Sequence, residues 1–338
     1  MAQKLGECTL LFKDAVNILS YASVVAKKEG EGPLKEWFDV VSEDTHLGEK
    51  TWEKAESKLQ KTAVERAVAK SGVGIEEIDC IFAGDLMNQC IASTFALRDF
   101  GRMFLGLYGA CSTMAESIVM GSVFIDSGAF EKVIALTSSH FCASERQYRF
   151  PLEYASVRTP TAQWTVTGAG AVVLSKNGDG PFVKSVCVGK IIDLGITDQN
   201  NMGAAMAPAA AETIKSFLKD TATDLDDYDA IFTGDLGSVG SELLYEILEK
   251  DKINIRHLHR DCGMLIYNPK TQANVNAGGS GCGCSASVLC SYILGKFKKG
   301  EYKDVLFVAT GALMSPTSTL QGESIPSIAH LIHISASK

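Results

Sequence analysis

The sequence predicts an α/β fold built from two duplicated halves, and three observations carry that expectation. The first is an ordered repeat. IDCIFAGDL at 78–86 returns as YDAIFTGDL at 228–236, and EKVIALTSSH at 131–140 returns as KDVLFVATGA at 303–312. GACSTMAESIV at 109–119 faces GCGCSASVLCSYI at 281–293, and TGAGAVVLS at 167–175 faces IPSIAHLIHIS at 325–335. Four pairs in one order indicate duplication, with halves at 1–178 and 179–338. The second is the alternation of short apolar runs with segments of helical period. The third is composition: 338 residues, 46% apolar and 21% charged, can build a substantial core and exclude wholesale disorder.

The elements follow in chain order. Residues 1–30 are the least legible; the apolar half Val16 to Ala26 suits an opening strand, and a charged Gly-rich turn runs on to Pro33. Thr51 to Ser71 places Trp52, Ala55, Leu59, Ala63 and Ala67 on one face and Lys and Glu on the other, the pattern of an amphipathic helix. Gly72 and Gly74 stop it. Ile78 to Ala83 reads as a strand ending at Gly84-Asp85, and Gln89 to Phe100 as helix. The apolar run Phe104 to Tyr108 reads as a buried strand. It turns at Gly109-Ala110 into a helical segment, Met114 to Ile125.

After the strand Lys132 to Thr137, residues 138–160 show no clean period and read as a long functional loop holding His140, Glu145, Arg146, Arg149 and Arg158. Ala171 to Ser175 and 183–194 are the next strands, and the segment from Ile196 enters a helix that opens the second half. Residues 243–255 read as helix, turn and strand. His257 and His259, between Arg256 and Arg260, read as a basic surface patch.

The chemistry centres on Cys111. A tight strand-to-helix turn would put its sulfur at a helix N-terminus, where backbone N–H groups and the helix dipole favour an anion and lower a thiol pKa. Taken alone, Cys111 reads first as an ordinary buried cysteine and second as such a reactive thiol. Asp85 and Asp235, matched by the repeat, read either as helix caps or as ligand contacts, with capping the stronger reading for Asp235. The net charge of −8 argues against nucleic acid. The ten cysteines form no disulfide framework, and GCGC at 281–284 is too closely spaced for a zinc knuckle, so no metal site and a reducing compartment are expected. No apolar run approaches the roughly 20 residues of a membrane span, and no secretory leader is read.

GACSTMAES and TGAGAVVLS resemble the active-site cysteine loop and the closing strand of the thiolase and ketoacyl synthase superfamily. That resemblance implies a five-layered α-β-α-β-α fold with one mixed sheet per half, and a homodimer through the central sheets. KEGEGPL, GDLMNQ, GACST, TSSH, SERQYRFP, ITD, MAPAAAETI, GDLGSVGS and ATGALMSPT…ESIPSIAH are together similar to the stage V sporulation AD family of spore-forming Firmicutes, from about residue 27 to the end. This second resemblance implies a protein that binds dipicolinic acid (pyridine-2,6-dicarboxylic acid), with calcium as a candidate companion ion. It would take part in dipicolinate uptake into the developing spore beside other stage V sporulation A proteins. Its place would be the cytoplasm or the periphery of the forespore inner membrane.

The departure from the enzymes bears on mechanism. A thiolase or ketoacyl synthase needs basic or amide groups from its second half to activate the thiol and hold the oxyanion. Here the two corresponding turns read Gly234-Asp235-Leu236-Gly237-Ser238 and Asn276 to Cys282, and neither contains histidine. A carboxylate at Asp235 would raise the thiol pKa, because like charges oppose ionisation. The expected ligand is planar, aromatic and doubly anionic. The residues expected around it are Cys111 and Ser112 at the turn, His140, Arg146 or Arg149 for charge, and Asp85, Asn88 and Gln89 after the paired strand. No catalytic residue and no resident cofactor are expected. The alternatives are an acyl-CoA-dependent acyltransferase using Cys111 and a structural adaptor whose pocket is a relic.

Overall fold

Thr9–Ala26 forms one 18-residue strand, β1, and this single element joins the two halves. The structure, a computed structural model, describes residues 1–148 and 158–338. The other principal elements of the first half are α1 Trp52–Ser71, β2 Cys80–Gly84, α2 Ile91–Leu97, β3 Met103–Gly106, α3 Thr113–Asp126, β4 Lys132–Ser139, α4 Phe141–Tyr148 and β5 Gly168–Ser175. The second half has β6 Phe182–Cys187, α5 Met202–Thr221, β7 Ala230–Thr233, α6 Gly237–Lys250, β8 His259–Asp261, α7 Cys262–Ile266, α8 Cys282–Val288, β9 Asp304–Ala312 and β10 Ser327–Ser335.

Strand order exposes the duplication. The first half runs β1-β5-β4-β2-β3 and the second runs β6-β10-β9-β7-β8, the same path twice. In each half the inner pairs β2–β4 and β7–β9 are parallel, while β4–β5 and β9–β10 are antiparallel. The two paths meet where β1 pairs with β6, with Thr9 opposite Cys187, while residues 17–25 of β1 pair with β5.

Among the described residues, three large apolar cores pack the five layers, the central one filling both sides of the middle helix layer. Strand alternation sends Ile81, Ile134 and Val173 outward onto Leu59, Ala63 and Val64 of α1. Their neighbours Phe82, Val133 and Val172 point inward, with Met114 and Ile118 of α3. That central core also takes Cys284 and Val288 of α8 and Phe307 and Ile332 of the second half. Ile231, Leu306 and Leu331 face the outer helix α5 through Ile214 and Phe217. The α-β-α-β-α stack matches the expected architecture, but the two mixed five-strand paths are joined through β1 and β6 into one continuous sheet instead of one sheet per half. α1 starts at an N-cap, Thr51, whose side chain accepts from the Lys54 amide, and ends at Gly72 with φ 75°.

Several local expectations are corrected. The run 104–108 is not buried: β3 is the sheet's edge, and Phe104, Leu105 and Tyr108 are exposed. Apolar composition alone does not separate an edge strand from a central one. Residues 141–148, read as loop, form α4. The strand expected at 183–194 stops at Cys187. The strand expected at the end of 243–255 lies instead at His259–Asp261, which pairs with β7, so His259 is buried where a surface patch was expected.

Phe82 and Phe104 sit in adjacent paired strands with opposite burial. Chemical denaturation should show Phe82→Ala losing about 3–5 kcal/mol, and Phe104→Ala about 1 kcal/mol or less.

Candidate functional site

The cysteine turn is built by its own small residues. Ala110 takes φ 51°, a left-handed conformation that an L-residue adopts only under constraint. The constraint comes from its neighbours. Ser112 Oγ donates to the Gly109 carbonyl (2.7 Å), Thr113 Oγ1 donates to the Ala110 carbonyl (2.7 Å), and the Gly109 amide donates to Thr113 Oγ1 (3.0 Å). The Ser112 and Thr113 amides close onto the same two carbonyls at 3.1 and 3.3 Å. The hydroxyls and first amides that the sequence offered to an anion are therefore engaged within the turn. Gly311 of β9 crosses here so closely that a Cβ on it would lie 2.2 Å from the Gly109 carbonyl oxygen.

Cys111 opens onto a cavity of about 40 Å³, lined by Leu86, Cys111, Glu145, Met202, Ser280 and Met314 among others. At roughly 10–15 Å³ per water, it has room for about three waters. Among the described residues no histidine, lysine or arginine lines it. Behind Cys111 stands Asp235, fully buried. Its Oδ2 accepts from the Gly281 amide (2.8 Å) and Ser280 Oγ (3.3 Å), and its Oδ1 from Thr310 Oγ1 (2.9 Å). Burial raises the Asp235 pKa to about 7, against those hydrogen bonds. Burial also pushes the Cys111 thiol well up, and the Asp235 carboxylate adds to that shift. Both effects oppose ionisation of the thiol.

The remaining expected site residues disperse. Asp85 is buried and spent on local structure, accepting from the Met87 amide (3.0 Å), the Ser93 amide (2.9 Å) and Ser93 Oγ (2.6 Å). Asn88 and Gln89 are exposed beyond it. His140 is buried, with its Nε2 against the Thr45 carbonyl at 2.9 Å and its pKa lowered by burial, and it is not among the residues lining the cavity. Arg146 pairs with Glu53 and lies over Trp52. Arg149 lies outside the described residues. The structure brings Cys111 to the cavity with Ser112 beneath it, and the described charged candidates Asp85, His140 and Arg146 elsewhere.

Two residues that the sequence reading left unassigned come into view. Glu145, on α4, reaches the cavity and accepts from Thr165 Oγ1 (3.1 Å). Arg158 pairs with it, Nη2 to Oε1 at 3.0 Å, with both side chains largely buried. Arg158 also donates to the Gln163 carbonyl (2.7 Å) and lies over the Trp164 and Phe141 rings. Trp164 and Phe141 stack at 3.9 Å. Both charges lie in the stretch read as a loop of functional character, but no period there marked which side chains turn inward. Among the described residues no group of three or more His, Cys, Asp or Glu could hold a metal ion.

The pH response of Asp235 is testable. In the folded chain it stays protonated up to about pH 7, whereas unfolded it ionises around its ordinary 3.8. Its contribution to stability is therefore full below about pH 4 and is lost as the pH rises to about 7. Thermal or urea unfolding of Asp235→Asn should gain on the wild type across that window by an amount on the order of a few kcal/mol. A parallel offset at every pH would mean that Asp235 does not titrate there.

Comparisons with known proteins fit this geometry. Residues 6–335 match the family model of stage V sporulation protein AD. Over 325 residues the chain is 44% identical to stage V sporulation protein AD of Bacillus subtilis (strain 168), covering 96% of each chain. Among solved structures, 3-oxoacyl-[acyl-carrier-protein] synthase III from Aquifex aeolicus VF5 superposes with a TM-score of 0.59 at 14% identity, covering 95% of this chain and 99% of that one. A variant of OleA from Xanthomonas campestris gives 0.60 at 14% identity, covering 96% and 99%. At that identity the two synthases establish the thiolase-like fold alone.

Proposed function

The chain belongs to the stage V sporulation protein AD family, and on that premise we propose that it is a non-catalytic binding protein for dipicolinate, acting in its uptake into the developing spore. The observation that supports the non-catalytic part is Cys111, its ionisation opposed by burial and by Asp235, in a cavity that among the described residues is lined by neither histidine nor cation. Acyl transfer from a thiol needs a thiolate and a donor aimed at the oxyanion. The turns that supply such groups in the enzymes carry Asp235 and Ser280 here.

The ligand class rests on the family premise, and the cavity sets conditions on it. A planar dicarboxylate exceeds the space of about 40 Å³, so the flexible thioethers of Met202 and Met314 have to yield. A bare dianion would meet Glu145, which favours entry together with calcium. Glu145, at the cavity wall, would supply a carboxylate oxygen to that calcium, while Arg158 is paired to Glu145 and does not itself line the cavity. The protein would work at the periphery of the forespore inner membrane beside other stage V sporulation A proteins. No helix among the described residues is long and apolar enough to cross a membrane.

Isothermal titration calorimetry with dipicolinate, with and without calcium, tests this reading. Binding should strengthen with calcium and disappear in Cys111→Trp, which fills the cavity. Cys111→Ala should lose less than about tenfold. In Glu145→Gln the gain from calcium should shrink. Wild-type affinity in Cys111→Trp would move the ligand elsewhere. Turnover of acyl-CoA that vanishes in Cys111→Ala would favour the acyltransferase instead.

A homodimer is part of the same proposal. The edge strand β3 presents Met103, Phe104 and Leu105 to solvent, an unpaired apolar edge of the kind proteins cover. Sedimentation should give a dimer for the wild type and a monomer for Leu105→Lys; a wild-type monomer would remove the pairing.

A further inference from the structure

The seam between the halves places two thiols in contact. Cys8 precedes β1 and Cys187 ends β6, and their sulfurs lie 2.7 Å apart, a short way from the ~2.0 Å of an S–S bond. The elements that hold them are fixed. Thr9 pairs with Cys187 across the ladder, and the Val188 amide donates to the Cys8 carbonyl at 3.0 Å. Asp220 of α5 clamps the approach: its Oδ1 accepts from the Glu7 amide, and its Oδ2 from the Cys8 and Thr9 amides, all at 3.1 Å. Cys8 is half-buried and reachable by a small reagent, whereas Cys187 is buried beneath it. That is the arrangement of an accessible thiol with a resolving partner.

We propose that Cys8 and Cys187 are an oxidisable pair that a peroxide converts to a disulfide bridging the two halves of the fold. The Cys8 sulfur attacks one oxygen of hydrogen peroxide, the O–O bond breaks, and hydroxide leaves. Cys8 is then a sulfenic acid, and the hydroxide takes up the former thiol proton as water. The Cys187 sulfur attacks the sulfenic sulfur, the S–O bond breaks, and its thiol proton leaves with the hydroxyl as a second water. The two thiols supply the two electrons that reduce the peroxide. Burial and the nearby Asp220 carboxylate raise the Cys8 pKa, so the first step should quicken with rising pH.

The bond would tie the N-terminal end of β1 to the second half and close a loop through most of the first half, constraining the unfolded chain. Enzyme-fold chemistry at Cys111 plays no part, so the proposal stands apart from dipicolinate binding.

Peptide mapping after peroxide treatment of the whole protein, with denaturing alkylation, reads the result. A linked peptide containing Cys8 and Cys187 is expected, with loss of two alkylatable thiols and a melting temperature above that of the reduced protein. A reducing thiol should reverse both. Cys8→Ser and Cys187→Ser should each lose the link and the shift while folding as the reduced wild type does. The proposal fails if both cysteines remain alkylatable, if Cys8 proceeds to sulfinic or sulfonic acid without a link, or if Cys8→Ser shows the same shift.

Discussion

The Asp235 carboxylate is the interaction on which the centre of the molecule depends. It joins the end of β7, the start of α8 through Gly281, and β9 through Thr310, in a place closed to water. A carboxyl group buried this deeply is tolerated because each oxygen finds a donor, and its raised pKa is the residual cost of burial. Its position also governs Cys111. Next to that thiol, an aspartate acts in the opposite sense to an imidazolium, opposing ionisation where a histidine cation would promote it.

The two halves solve the same backbone problem with different side chains. At the end of β2, Asp85 turns onto Ser93 and the Met87 amide and organises the entry to α2 within its own half. At the matching place, Asp235 reaches across to Gly281 and Thr310, and the local role passes to Asp261, which accepts from the Leu236 and Gly237 amides. A duplicated scaffold thereby yields one aspartate that shapes a turn and another that faces the central cysteine. Function separates the halves while the strand order stays common to both.

Much of the fold was legible because it is written in periods and stops. The α1 helix and its Gly72 stop, the cysteine turn and the repeated strands all follow from local pattern. The errors fall where burial is decided at a distance. Phe104 and Leu105 have the composition of a central strand, yet among the described residues no strand lies beyond them. His259 sits among arginines in the chain, but as a β8 residue it turns inward to Thr233 and Tyr245. The cysteine turn was legible because the hydrogen bonds that shape it run within residues 109–113. Arg146 and His140 were chosen for their charge, and tertiary packing gave them other partners, Glu53 and the Thr45 carbonyl.

The strained turn holds Cys111 at the cavity by contacts that do not involve its charge. A left-handed Ala110 costs roughly 1–2 kcal/mol, and such conformations persist only where the surroundings over-determine them. Here they do: Ser112 and Thr113 satisfy the turn's carbonyls, while Gly311 leaves space for the Gly109 carbonyl. None of those contacts requires a thiolate at Cys111. The geometry that aims the sulfur at the cavity is thus supported independently of the groups that would ionise it. Asp235 at the neighbouring turn opposes ionisation of that sulfur without entering the turn's own hydrogen bonds.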